Sequence, residues 1–201
     1  MNNKKFGTRH MVTTAMLSAL LLIMSFTPLG YLNIGPLAIS FNMIPVAIGA
    51  IALGPVGGMI LGGMFGITSF LQCLGIGGTS AMGVILFEIS PFLAFVQRFV
   101  PRILAGLLAG LVFMGVKKFR GPTVACFVTG FAAALFNTVL FMFALVVLFG
   151  NTAYIQGLID GRNVIIFVCT FVGINAVVEM LAASLIVGAV GKVLTKFLSR
   201  R

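Results

Sequence analysis

Residues 98–122 read RFVPRILAGLLAGLVFMGVKKFRGP, and this stretch decides the fold. Between Arg102 and Lys117 there is no charged residue, only an apolar run with Gly106 and Gly110 spaced GxxxG. Roughly 20 such residues in a helix cross a bilayer core about 30 Å thick. Lys117, Lys118 and Arg120 then cluster before Gly121-Pro122, as basic residues do in a short cytoplasmic loop. At 1.5 Å per residue, Arg102 stands roughly 22 Å from that loop, deep in hydrocarbon, where a charged side chain needs a partner or a ligand.

Reading outward gives the same pattern along the chain. Of 201 residues, 60% are hydrophobic and only 8% charged, against about 25% charged in a soluble domain. The mean hydropathy is +1.21. This excludes a soluble globular protein and a sizeable extramembrane domain, and it disfavours a β-barrel, whose alternating strands give a weaker signal. The expected architecture is an all-α membrane protein of six transmembrane helices in a single domain, 1–201. The helices are expected at about 11–27, 41–53, 56–74, 92–116, 123–149 and 163–190. The second is short for a full crossing, so a tilted or re-entrant segment is an open alternative. The stretch Gly75 to Ser80 is read as a hairpin or loop at the outer face.

The net charge of +10 follows from orientation, not nucleic acid. Most Lys and Arg fall in the amino-terminal lead, the loop at Lys117 and the carboxy-terminal tail, which predicts both termini on the cytoplasmic side of the membrane. Glu88 and Asp160 then fall on the outer side. Catalytic chemistry has no visible basis. His10 is the sole histidine and Asp160 the sole aspartate, so neither a Ser–His pair nor an aspartate pair is available. No phosphate-loop motif of an ATPase occurs. Cys73, Cys126 and Cys169 lack CxxC spacing and suggest no metal, cofactor or disulfide.

What remains is a set of polar residues inside apolar runs. Depth counting puts Gln72, Arg102, Asn137 and Asn175 in one band from the midplane outward, with Arg98 a turn further out. Glu179 is one turn deeper than Asn175 on the same helix face. One reading is a ligand pocket open to the outside, in which an Arg suits a carboxylate through paired hydrogen bonds. The other is bonding between helices, with Arg102 paired to Glu179. Small residues give a second signal: Ala15 and Ala19, then Gly58, Gly62 and Gly66, then Gly106 and Gly110. Such faces let helices approach closely, either inside the bundle or against a partner.

The ordered motifs resemble the substrate-binding S components of energy-coupling factor (ECF) vitamin transporters. They are Ala15-x-x-x-Ala19, Ile44-Pro45-Val46-Ala47-Ile48-Gly49-Ala50-Ile51-x-x-Gly54-Pro55, Gly62-x-x-x-Gly66-x-x-Ser69, Val100-Pro101-Arg102-Ile103-Leu104-x-Gly106-Leu107, Asn137-Thr138 and Asn175-x-x-x-Glu179. The resemblance covers essentially the whole chain. It implies a six-helix vitamin binder without its own ATPase, which joins a transmembrane coupling subunit and two ATPase subunits. It also implies docking of the coupling subunit on Ala15 and Ala19, and a lid in the loop carrying Tyr31 and Asn33. Within the family the pattern looks most like the pantothenate type. Arg98 or Arg102 would then hold the carboxylate, and Asn137 and Asn175 the amide and hydroxyls. Asn42-Met43 stands where many relatives carry a His, so riboflavin, hydroxymethylpyrimidine, folate or a queuosine-type precursor stay open as ligands. A stand-alone facilitator or a structural membrane protein are the alternatives outside the family.

Overall fold

A computed structural model describes residues 8–27, 30–33, 38–77, 80–161 and 163–199. Lys4, Lys5, Pro28, Pro36, Thr79, Arg162, Arg200 and Arg201 lie outside the described residues, as do the side chains of Arg9, Asn33 and Cys169. The described chain is almost entirely helical. The elements run α1 (Thr8–Phe26), β1 (Tyr31–Asn33), β2 (Ala38–Ser40), α2 (Met43–Leu71), α3 (Ala81–Ile89), α4 (Pro91–Phe149), α5 (Ala153–Ile159) and α6 (Val164–Ser199).

α2 and α4 are each two rods joined at a sharp reversal. Gly54 (φ 79°) and Gly121 (φ 83°) leave the helical region, in a conformation that a side chain would strain. Each is followed by a proline, whose fixed φ starts the next helix. The reversals are visible in the packing. Leu61 presses its side chain on Gly49, although a straight helix would hold them roughly 18 Å apart. The Arg102 guanidinium lies 5.2 Å from the centre of the Phe141 ring, where a straight helix would separate them by roughly 60 Å. The rods are therefore 43–53 with 55–71, and 91–120 with 122–149.

Three helical stretches, Met43–Leu74, Pro91–Phe149 and Asn175–Phe197, are long and apolar enough to cross a membrane, and His10–Phe26 is a shorter apolar helix. Large apolar side chains point outward, among them Met16, Leu111, Phe143 and Leu185. In a lipid solvent this carries no penalty. The rod 43–53 is the exception. Every residue from Met43 to Ile51 is buried, so this rod is wrapped by the others.

Several bounds differ from the sequence expectation. The third expected helix ends at Leu71 and gives way to a single 3-10 turn, Gln72–Leu74, closed by Gly75 in the left-handed region. The segment after it holds α3, capped by the Ser80 hydroxyl accepting from the Gly83 N–H. The loop after Phe149 holds α5, capped the same way by Thr152. The last helix continues past residue 190 to Ser199, because Lys192 and Lys196 are good helix formers whose stems reach toward water. The first loop contains an antiparallel ribbon pairing Tyr31 with Ser40 and Asn33 with Ala38.

The GxxxG glycines pack inside the bundle. A Cβ on Gly58 would strike the Gly106 carbonyl, one on Gly62 the Arg102 carbonyl, and one on Gly66 the Phe99 backbone. These contacts set how deeply the rod carrying Arg98 and Arg102 seats against α2. Gly62→Val should therefore cost about 1–3 kcal/mol through backbone displacement. It is read as a fall of the melting temperature in detergent by roughly 2–4 °C per kcal/mol. An unchanged melting temperature would contradict this close approach.

Basic side chains collect at one end. Lys117, Lys118 and Arg120 flank the Gly121 reversal and are exposed, as are Lys192 and Lys196. Gly191 abuts Cys126 and Ile51, which brings the end of α6 to the same end of the bundle. The ribbon, the 3-10 turn and α3 lie at the opposite end.

Candidate functional site

Two arginines dominate the half of the bundle nearer the ribbon. α4 buries a helical stripe, Ala94, Gln97, Arg98, Pro101, Arg102, Ala105 and Gly106, so both arginines point inward. Arg98 is 6% exposed and Arg102 5%. Arg98 donates from its two terminal nitrogens to the hydroxyls of Ser69 (3.4 Å) and Ser80 (3.1 Å), which fixes it between α2 and the start of α3. Arg102 donates once, to the Arg98 carbonyl at 2.6 Å. Its guanidinium lies over Phe65 (4.5 Å) and Phe141 (5.2 Å), and aromatic faces attract a desolvated cation. Both Nε atoms are buried without a partner.

The pairing of Arg102 with Glu179 considered from sequence does not form. Among the described residues neither arginine is ion-paired to a carboxylate. Glu179 is buried and accepts instead from the Ser40 backbone N–H at 2.5 Å, so it ties β2 to α6. Arg98, Tyr31, Cys73 and Glu179 are the electrostatic neighbours of Arg102. With one carboxylate against two guanidinium groups, this layer is net positive, which favours an anionic ligand.

The other candidates separate by geometry. Tyr31 opens β1, and its hydroxyl is buried without a partner, as is the Ser40 hydroxyl paired across from it in the ribbon. Asn33 is in β1, with its side chain outside the described ones. Asn137 is buried on α4, one turn from Phe141, with its carbonyl oxygen unpartnered. Asn175 is half-buried one turn from Glu179. Gln72 does a different job. Its amide nitrogen donates to the Ser25 carbonyl at 2.8 Å, beside a Ser25–Thr68 hydroxyl contact of 3.1 Å, so it fastens α1 to the 3-10 turn.

Four further residues received no site role from sequence. Ser69 and Ser80 hold Arg98. Gln97 and Asn42 are fully buried with both amide atoms unpartnered. Gln97 adjoins a singled-out arginine and falls on the same inward stripe, so the helical period could have flagged it. Buried polar atoms are normally paired, and here several unpartnered ones accompany two guanidinium groups that share one nearby carboxylate. The arrangement suits a small, anionic, hydrogen-bonding solute.

Ala15 and Ala19 stand elsewhere, on the outer face of α1, exposed beside Met11, Met16 and Ile23. The opposite face of α1 buries Ser18, Leu21 and Ser25.

These features define a helical membrane protein with a buried polar layer inside its bundle. The chain belongs to the family of ECF transporter substrate-specific components, whose model matches residues 9–191. It is similar to the pantothenate transporter PanT of Leuconostoc mesenteroides subsp. mesenteroides, 31% identical over 211 residues, covering 100% of this chain and 98% of that protein. It is thus a transporter subunit and a membrane protein.

Proposed function

We propose that this protein captures pantothenate at the outer face of a bacterial plasma membrane. It then hands the vitamin to a module of one transmembrane coupling subunit and two ATPase subunits, itself catalysing no reaction. The observation that carries the ligand class is the pair of buried arginines, Arg98 and Arg102, without a carboxylate partner among the described residues. Pantothenate is a carboxylate joined through an amide to a hydroxylated acid. Arg102 takes the carboxylate, Asn137 and Asn175 the polar middle, and Tyr31 and Asn33 close the ribbon over the site. The similarity to the Leuconostoc pantothenate transporter supports this choice among vitamins.

The reading comprises one membrane domain with six crossings and both termini in the cytoplasm. The six rods α1, 43–53, 55–71, 91–120, 122–149 and α6 supply the crossings. The gathering of Lys117, Lys118, Arg120, Lys192 and Lys196 at one end supports the orientation. Ala15 and Ala19 are the docking face.

Titration of purified protein with a panel of B vitamins tests the ligand. Pantothenate is expected to bind at micromolar or tighter Kd, and riboflavin, folate and hydroxymethylpyrimidine far more weakly. Liposomes containing this chain alone should accumulate no pantothenate, and those with the complete module and ATP should. Uptake without any ATPase would establish a facilitator instead.

A further inference from the structure

We infer that Gln97 is a ligand-contacting residue that reads an amide of the substrate, and with it the distinction between an amide and an ester. The inference rests on the pantothenate reading above for the identity of that amide. Gln97 is 0% exposed, and neither its Oε1 nor its Nε2 has a partner. An amide in that state is among the costliest neutral groups to leave buried, and the surrounding lipid offers it no water. Its own backbone adds to the unmet demand. The residue four positions on is Pro101, which has no N–H to give the Gln97 carbonyl.

Location gives this demand a direction. Gln97 lies on the buried stripe of α4, between Ala94 and Arg102. Ala94 belongs to the apolar cluster of Met142 and Leu145, and Arg102 lies over Phe141. Gln97 is therefore level with residues 141–145 of the facing rod, in the layer of the two arginines. Along that layer stand Arg102 for an anion, Asn137 with an unpartnered carbonyl oxygen, and Gln97 with one acceptor and two donors. A secondary amide is trans, so its N–H and C=O face opposite ways. The Gln97 oxygen accepts the ligand N–H, which an ester lacks, and the Gln97 nitrogen is left to donate to another ligand oxygen. An arginine in that place has no acceptor for the ligand N–H.

The test compares wild type with Gln97→Met, an apolar side chain of similar length. Two probes are used: pantothenate, and its ester analogue in which the amide N–H is replaced by oxygen. Wild type is expected to prefer the amide by 10-fold or more. Gln97→Met is expected to bind pantothenate at least 10-fold more weakly and to prefer neither probe. Without ligand, the same substitution removes an unmet buried amide, so the melting temperature of the apo protein is expected to rise by about 2–4 °C. A Gln97 that merely joined helices would give a falling melting temperature. The inference is overturned if Gln97→Met retains wild-type affinity, if it keeps the wild-type amide-to-ester ratio, or if its apo melting temperature falls. If wild type binds another vitamin and not pantothenate, the ligand assignment fails and the amide inference falls with it. Loss of binding in Gln97→Met with the amide-to-ester ratio unchanged overturns the inference while leaving the pantothenate reading intact.

Discussion

Arg102→Ala is expected to weaken pantothenate binding by about 30- to 150-fold, equivalent to about 2–3 kcal/mol for a charge-assisted hydrogen-bonded contact. The size follows from the surroundings of the guanidinium. It is buried, lies over two phenyl rings, and has one hydrogen bond, to a backbone carbonyl. The rest of its donor fork is therefore available to a ligand carboxylate. Arg98 differs. Ser69 and Ser80 hold both of its terminal nitrogens, so Arg98→Ala should mainly loosen the packing of α3 and lower the melting temperature. Arg102→Lys should recover little, because an ammonium cannot reproduce the two-pronged geometry. The alcohol analogue of pantothenate, lacking the carboxylate, separates charge recognition from general damage. Wild type should bind it much more weakly than pantothenate, and Arg102→Ala should bind the two alike. Calorimetric titration of the three variants checks this, and unchanged affinity in both Arg98→Ala and Arg102→Ala would refute carboxylate recognition by this pair.

How much of this was readable in advance depends on the dimension concerned. Depth was legible, since a charged residue in an apolar run announces itself by cost alone, and Arg98, Arg102 and Glu179 are buried as that cost implies. Azimuth was not. Gln72 matches the arginines in depth, yet its amide faces α1 and bonds the Ser25 carbonyl. Gln97 is the opposite case, a neutral residue beside a conspicuous charge, whose burial no charge cost announces. The partner of Glu179 could not be foreseen either. It is a backbone N–H at Ser40, 139 residues away in sequence, in a ribbon whose strands of three residues are too short to show alternation. The Gly-Pro pairs at Gly54 and Gly121 carried their meaning locally, because glycine geometry and proline stereochemistry need no tertiary context.

The AxxxA face of α1 yields the other large effect. Ala15→Trp or Ala19→Trp is expected to abolish assembly with the coupling subunit, and uptake with it, while pantothenate affinity stays within about twofold of wild type. The separation is possible because α1 has two distinct faces. Its inner face buries Leu21 and Ser25, and the Ser18 hydroxyl meets the Met64 sulfur at 2.9 Å. These contacts hold α1 to α2 and are untouched by a change on the other side. The outer face exposes both alanines among larger side chains, Met16 at 69% and Ile23 at 56%. The alanines thus form a shallow notch in an otherwise bulky surface. Between membrane helices there is no hydrophobic driving force, so association depends on close backbone approach at such notches. An indole in the notch holds a partner helix off and forfeits its packing contacts along the whole seam. Val139→Trp, on an exposed lipid-facing side chain of α4, controls for bulk alone and should leave assembly intact. Co-purification of the tagged chain with a coupling subunit and its ATPases reads the result, and intact recovery from both alanine variants would move the docking surface off α1.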